Sequence, residues 1–197
     1  VLFLLLAHLA AFGLLDHGDH SHREPVQLAA MFSLFLWPPV LRAHFRRFAW
    51  PPGTTRWLYA FAAWGLLLVV DGVFTFLPGI LEKWKFTNAL VGHVHIAMAG
   101  MLTSFNMLVL IMLARRAGIG HGLDDAVLFR WWHGGTVVHA VALITAGSLE
   151  ASHPSWLFSG HPAMMTCYGL RWAGGLAMTV AAVGWWRSAH RGGKEST

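Results

Sequence analysis

The chain has 197 residues, of which 56% are hydrophobic, only 12% are charged, and thirteen are histidine. A soluble domain carries about twice that charged fraction, so an ordinary water-soluble enzyme is excluded and a lipid-embedded helical bundle is indicated. The formal net charge is +5, but the basic residues gather at the ends of apolar runs and form no nucleic-acid-binding face. A single cysteine, Cys167, excludes an internal disulfide and a thiolate cluster, leaving nitrogen and oxygen ligands for any metal.

Six apolar stretches follow one another, at 1–15, 26–43, 57–80, 90–113, 129–149 and 163–187. Most are near the roughly 20 residues that a spanning helix needs. The predicted fold is therefore all-α and integral to the membrane: one six-helix transmembrane domain over 1–187, then a polar tail over 188–197. The first stretch lacks a basic leader and a small-residue cleavage site, so it reads as a span and not as a signal peptide. After it comes the only biased tract, Asp16-His17-Gly18-Asp19-His20-Ser21-His22. The second stretch contains Pro38-Pro39, which predicts a kink or an end.

The third carries Asp71, with no partner evident in the sequence. A carboxylate in lipid is costly and marks a proton path or cofactor shell, which makes Asp71 a candidate catalytic residue; the plainer alternative is a neutral, hydrogen-bonded acid. The fourth opens with Gly92-His93-Val94-His95. In the fifth, His133 and His139 lie about 240° apart on a helix, so they share no face and packing roles are expected. In the sixth, Arg171 lies where a guanidinium can reach an anionic group or snorkel to the interface.

Charge sets the expected orientation. Arg42, Arg46, Arg47 and Arg56 follow the second stretch, Arg115, Arg116 and Arg130 flank the loop before the fifth, and Arg187, Arg191 and Lys194 follow the sixth. The other side holds only Arg23, Lys83 and Lys85. The positive-inside rule then puts both termini in the cytoplasm of a cell bounded by an inner membrane. Trp131, Trp132, Trp185 and Trp186 fall at the inner interface in this reading.

The His93/His95 pair is the sharpest feature. Residues two apart on a helix are separated by about 200°, so the imidazoles point to opposite faces. That suits two separate cofactors better than one small ion, which prefers partners four apart on one face. Both histidines lie one or two turns inside the expected outer boundary. Gly92 and Gly100 leave space for a macrocycle or a neighbouring helix. Interhelical hydrogen bonding is the alternative role; the pairing and depth of the two favour haem ligation.

The run "FTNALVGHVHIAMAGMLTSF" resembles the tenth helix of the catalytic subunit of haem–copper oxygen reductases, and most of all that of cbb-type oxidases and nitric oxide reductases. Tyr168-Gly169-Leu170-Arg171-Trp172-Ala173-Gly174-Gly175 is similar to the last helix of that family, with its Tyr-x-x-Arg-x-x-Gly-Gly motif. "WLYAFAAWGLLLVVDGVFTF" looks like the ninth helix, and "DHGDHSHREPVQLAAMFSLFLWPP" like the end of the seventh and the eighth. The resemblance covers nearly the whole chain, as helices 7–12 of a twelve-helix subunit. It implies that His93 ligates a high-spin catalytic haem b and His95 a low-spin one; the anionic group within reach of Arg171 is then a haem propionate, with snorkelling to the interface the equal alternative. It further implies a non-haem iron or copper at His17 and His20, although the family's adjacent histidine pair is interrupted here by Gly18. A solvated loop that binds stray ions is the alternative for those two.

Leu9-Ala10-Ala11-Phe12-Gly13 has no tyrosine where oxygen-reducing relatives carry one, so the resemblance implies nitric oxide reduction over oxygen reduction. In the family the second axial histidine of the low-spin haem comes from the first half of the fold. A second membrane chain is therefore the expected partner, besides lipid and a c-type cytochrome or quinol donor. The competing expectation is a six-helix scaffold subunit that has lost its cofactors.

Overall fold

The computed structural model describes residues 1–15, 24–118 and 122–192, and every regular element within them is helical. The apolar helix α1 (Leu2–Leu15) packs against α2 (Pro25–Phe32), which starts on a proline, where a missing N–H costs no hydrogen bond. A 3₁₀ turn, Ser33–Leu36, joins α2 to α3 (Trp37–Phe45). Pro38 and Pro39 occupy the first turn of α3, and the chain tightens immediately before them instead of breaking, because their absent N–H groups cannot continue an α ladder. The Ser33 hydroxyl lies 3.1 Å from His8 Nδ1 and pins α1 to this turn.

Helix α4 (Thr55–Thr75) leads through Gly79, whose φ of 85° suits glycine, into the short α5 (Leu81–Trp84). Next comes one continuous helical rod of 29 residues, Asn88–Arg116. It consists of α6 (Asn88–His95), a π-helical stretch Ile96–Leu102, and α7 (Thr103–Arg116). Asp125 caps α8 (Ala126–Ser152), its carboxylate accepting from the N–H groups of Val127 and Leu128 at 2.6 and 3.1 Å. A 3₁₀ turn, Pro154–Trp156, precedes α9 (Pro162–Gly192).

Helix α8 is the hub, with its most extensive contact along α9 and its next along α6, while α4 packs on the π stretch and α7. Glycine makes these seams tight. A Cβ on Gly92 would stand 2.6 Å from Ile144 Cγ1, one on Gly135 would stand 2.7 Å from Gly174 O, and one on Gly147 would overlap Ala89. Three apolar clusters line the bundle. One centres on Trp57, Leu108, Ile111 and Trp185, a second on Trp64, Ile96 and Ala140, and a third on Ala146, Met164 and Cys167.

Among the described residues four helices are long and apolar enough to cross a membrane: Leu28–Phe45, Thr55–Thr75, Asn88–Arg116 and Ala126–Ser152. No more than 44% of the apolar window of any of them is buried within the chain, which leaves each with exposed apolar side chains, as a lipid-facing helix has. The expected count of six differs at both ends. Helix α1 has 14 residues, short of the ~20 a span needs. Helix α9 has 31 residues, but Arg171, its glycines and its tryptophans lower its hydropathy below that of the four. It also runs to Gly192, so the first five residues of the expected polar tail are helical.

Candidate functional site

The rod that carries His93 and His95 is held at its start by two acceptors. Thr87 caps α6 by accepting from the Ala89 N–H at 3.2 Å. From α8, the buried carboxylate of Glu150 accepts from Asn88 N at 2.8 Å and from Asn88 Nδ2 at 2.5 Å. An anion at a helix N-terminus satisfies an orphan donor and meets the favourable end of the dipole. Glu150 was not singled out from sequence, where it reads as a polar residue close to a loop; a lone acid closing an apolar run is the signal that could have found it.

The two imidazoles then turn to different neighbours. His93 faces α4, where its Nδ1 lies 2.7 Å from Asp71 Oδ2, and both side chains are largely buried, 17% and 12% exposed. Asp71, unpartnered in the sequence, has its partner here. A carboxylate oxygen accepts, so an ionised Asp71 takes its hydrogen bond from His93 Nδ1. His95 faces α8. Its Nδ1–H donates to Val91 O at 2.8 Å, since a carbonyl can only accept.

Across from His95 stands His139, with ring centroids 4.6 Å apart and planes inclined by 34°. His139 in turn donates from Nδ1 to Arg171 O on α9 at 2.9 Å. His133 is likewise tied to another helix: Trp64 Nε1–H donates to its Nδ1 at 2.9 Å, and Phe129 lies 4.3 Å away in an edge arrangement.

The Arg171 guanidinium is exposed and lies 3.4 Å from Asn88 Oδ1. It borders a groove of about 540 Å³ lined by His139, Tyr168, Trp172, Gly175 and Leu176. A second groove of about 400 Å³, along Gly134, Gly135, Ala173 and Gly174, is almost wholly apolar and offers no ligand. The π stretch begins at Ile96, directly after His95, and its loosened carbonyls find side-chain donors. Trp132 Nε1–H donates to Ala99 O, and the Thr103 hydroxyl to Met98 O, each at 2.9 Å.

A metal-binding histidine characteristically ligates through one ring nitrogen while the other donates to a carboxylate or backbone carbonyl, which fixes the tautomer. His93 with Asp71, and His95 with Val91 O, both have Nδ1 against an oxygen, which leaves Nε2 as the ring nitrogen that could face a ligand. Among the described residues no group of three or more His, Cys, Asp or Glu side chains is placed to hold a metal ion. His17 and His20, the expected non-haem metal ligands, lie outside the described residues. No family model, no curated protein and no solved structure matches the chain.

Proposed function

We propose that the chain is a haem-binding membrane subunit of a respiratory electron-transfer complex, similar to the second half of a nitric oxide reductase or cbb-type oxidase core. The observation that supports the reading is the pair of imidazoles on opposite sides of one rod, with the Nδ1 of one against Asp71 Oδ2 and of the other against Val91 O. His95 holds a low-spin haem b and His93 a second haem b where a small diatomic gas binds, nitric oxide in preference to oxygen. Haem supplies one-electron transfer and gas binding at these positions. The chain's own residues supply the rest. Asp71 acts as a positioning residue for His93, holding its ring and raising its basicity as a ligand. Arg171, exposed beside the groove, pairs with a propionate.

In this reading α1 and α9 join the four apolar helices as spans, both termini lie in the cytoplasm, and the membrane is the inner one. A second membrane chain supplies the first half of the fold, and a c-type cytochrome or quinol supplies electrons. On sequence grounds alone, the reading extends to a non-haem iron or copper at His17 and His20. Reduced-minus-oxidised spectra of the protein purified from native membranes test it. Wild type shows a b-type band, which His95→Ala and His93→Ala each diminish. A native preparation without haem refutes the reading and leaves a six-helix scaffold subunit without cofactors.

A further inference from the structure

An excess of cations gathers at one end of the bundle, where α3, α7 and α9 finish and α4 and α8 begin. Packing makes that end one surface. Trp50 Nε1–H donates to Phe45 O at 2.9 Å and folds the segment after α3 back on the bundle. A Cβ on Gly53 would overlap Asp124 and stand 2.9 Å from Arg115 Nη2, so this segment lies against the end of α7 and the start of α8. A Cβ on Gly122 would stand 3.2 Å from Ser188 Cβ, which brings in α9. Trp50, Leu123 and Trp185 share one apolar cluster beneath.

The two described acids at this end are both engaged. Asp124 accepts from Arg115 Nη2 at 3.1 Å, and Asp125 caps α8. Arg46, Arg47, Arg116 and Arg187 are exposed, and among the described residues none of them has a carboxylate within ion-pair distance. We propose that this end of the bundle is a binding surface for anionic phospholipid headgroups, whose phosphates the unpaired arginines hold. The proposal needs the apolar helices to lie in a bilayer, as the proposed function does, and is independent of haem.

The occupant follows from what lies beside each cation. Leu113 precedes Arg116 by three residues on α7, and Val183 precedes Arg187 by four on α9, spacings that share a helix face. Both apolar side chains are exposed, so outward apolar rows run directly into arginines. A molecule with apolar tails and an anionic head matches that order along one face. A water-soluble acidic partner would meet the cations and leave the apolar rows uncovered. Exposed indoles adjoin the cations, Trp131 after Arg130 and Trp186 before Arg187, and such rings settle at headgroup level. Every basic side chain in the argument is arginine, whose planar fork takes phosphate oxygens two at a time.

The test uses the full chain in uncharged detergent micelles, titrated with phosphatidylglycerol or phosphatidylcholine, with the unfolding midpoint followed by circular dichroism. A lipid that binds the folded state raises the midpoint. Phosphatidylglycerol is expected to raise it; phosphatidylcholine, whose own cation neutralises its phosphate, is not. An arginine near an anionic lipid surface contributes about five-fold in affinity, so Arg46→Gln/Arg47→Gln/Arg187→Gln requires about 100-fold more phosphatidylglycerol for the same shift. Its midpoint without lipid stays at the wild-type value, because the three side chains are exposed. The matching triple lysine variant recovers most of the effect. Raising salt from about 0.1 to about 1 M shortens the screening length from about 10 to about 3 Å and suppresses the effect. Lys83→Gln/Lys85→Gln removes cations from the opposite end and changes nothing.

Equal shifts with the two lipids, or a full phosphatidylglycerol shift in the triple glutamine variant, overturn the proposal. So does a shift with soluble polyglutamate as large as that with phosphatidylglycerol, which marks an acidic protein as the partner. A preparation without haem refutes the proposed function and leaves this surface standing. Failure of the chain to insert into phosphatidylglycerol–phosphatidylcholine vesicles removes both.

Discussion

Replacing Gly147 by alanine tests whether the seam between α6 and α8 is what holds the histidine-bearing rod in place. The added Cβ would overlap Ala89 N and lie 2.6 Å from both Ala89 Cα and Cβ. Ordinary carbon contacts are about 3.5–4.0 Å, so the helices must separate by about 1 Å. Overpacking of this kind costs about 1–3 kcal/mol. The same separation stretches the Glu150–Asn88 bonds, now 2.8 and 2.5 Å and one turn from the clash, toward the limit of useful geometry. Hydrogen bonds to a charged group contribute about 1.5–3 kcal/mol each. With partial relaxation of the Glu150 side chain, the expected loss is about 3–5 kcal/mol. Gly134→Ala is the control, because a Cβ there meets nothing within 4 Å and helix propensity alone favours alanine by up to about 1 kcal/mol. Unfolding in detergent micelles, followed by circular dichroism, reads the difference. If the two variants unfold at the same midpoint, the seam is not a structural constraint and the reasoning fails.

Four further outcomes are expected. Asp71→Asn leaves the fold intact but weakens haem retention about 10–100-fold, the usual effect of losing a histidine's carboxylate partner; competition with an apo-haemoprotein measures it, and unchanged retention would remove Asp71 from the site. Glu150→Ala destabilises the protein by about 2–4 kcal/mol, and Glu150→Gln by less, since one amide oxygen can still accept from Asn88; equal losses in chemical unfolding would contradict this. Asp125→Ala costs about 1–2 kcal/mol through the lost cap of α8, seen as faster hydrogen exchange at Val127 and Leu128. Single cysteines at Arg46 and Ser155, in a Cys167→Ser background, should react with a membrane-impermeant thiol reagent from opposite sides of the membrane. Labelling from the same side would refute the orientation drawn from the arginines.

Much of the architecture is legible in the sequence because lipid imposes a simple rule. A segment without water must pair its backbone internally, so long apolar runs become helices, and four of the six drawn from the sequence meet the length and hydropathy of a span. The two at the ends do so less clearly, α1 through length and α9 through composition. The local disturbance at Pro38-Pro39 is legible too, as a 3₁₀ turn just before them and not as the kink or end expected, because a missing N–H acts locally. The opposed directions of His93 and His95 follow from helix period alone.

What the period could not supply is the partner on each side. Asp71 and His93 are 22 residues apart and on different helices; Asn88 and Glu150 are 62 apart; His139 binds a carbonyl 32 residues away, on α9. These pairings depend on which helix faces lie together, and that is decided by where glycine lets backbones approach. The sequence by itself determined an apolar helical bundle and two imidazoles diverging from one rod. Only the tertiary structure decided that Asp71 orients one, that His139 faces the other, and that Glu150 anchors the helix carrying both, because close contact between separate helices is set by packing and leaves no trace in local periodicity.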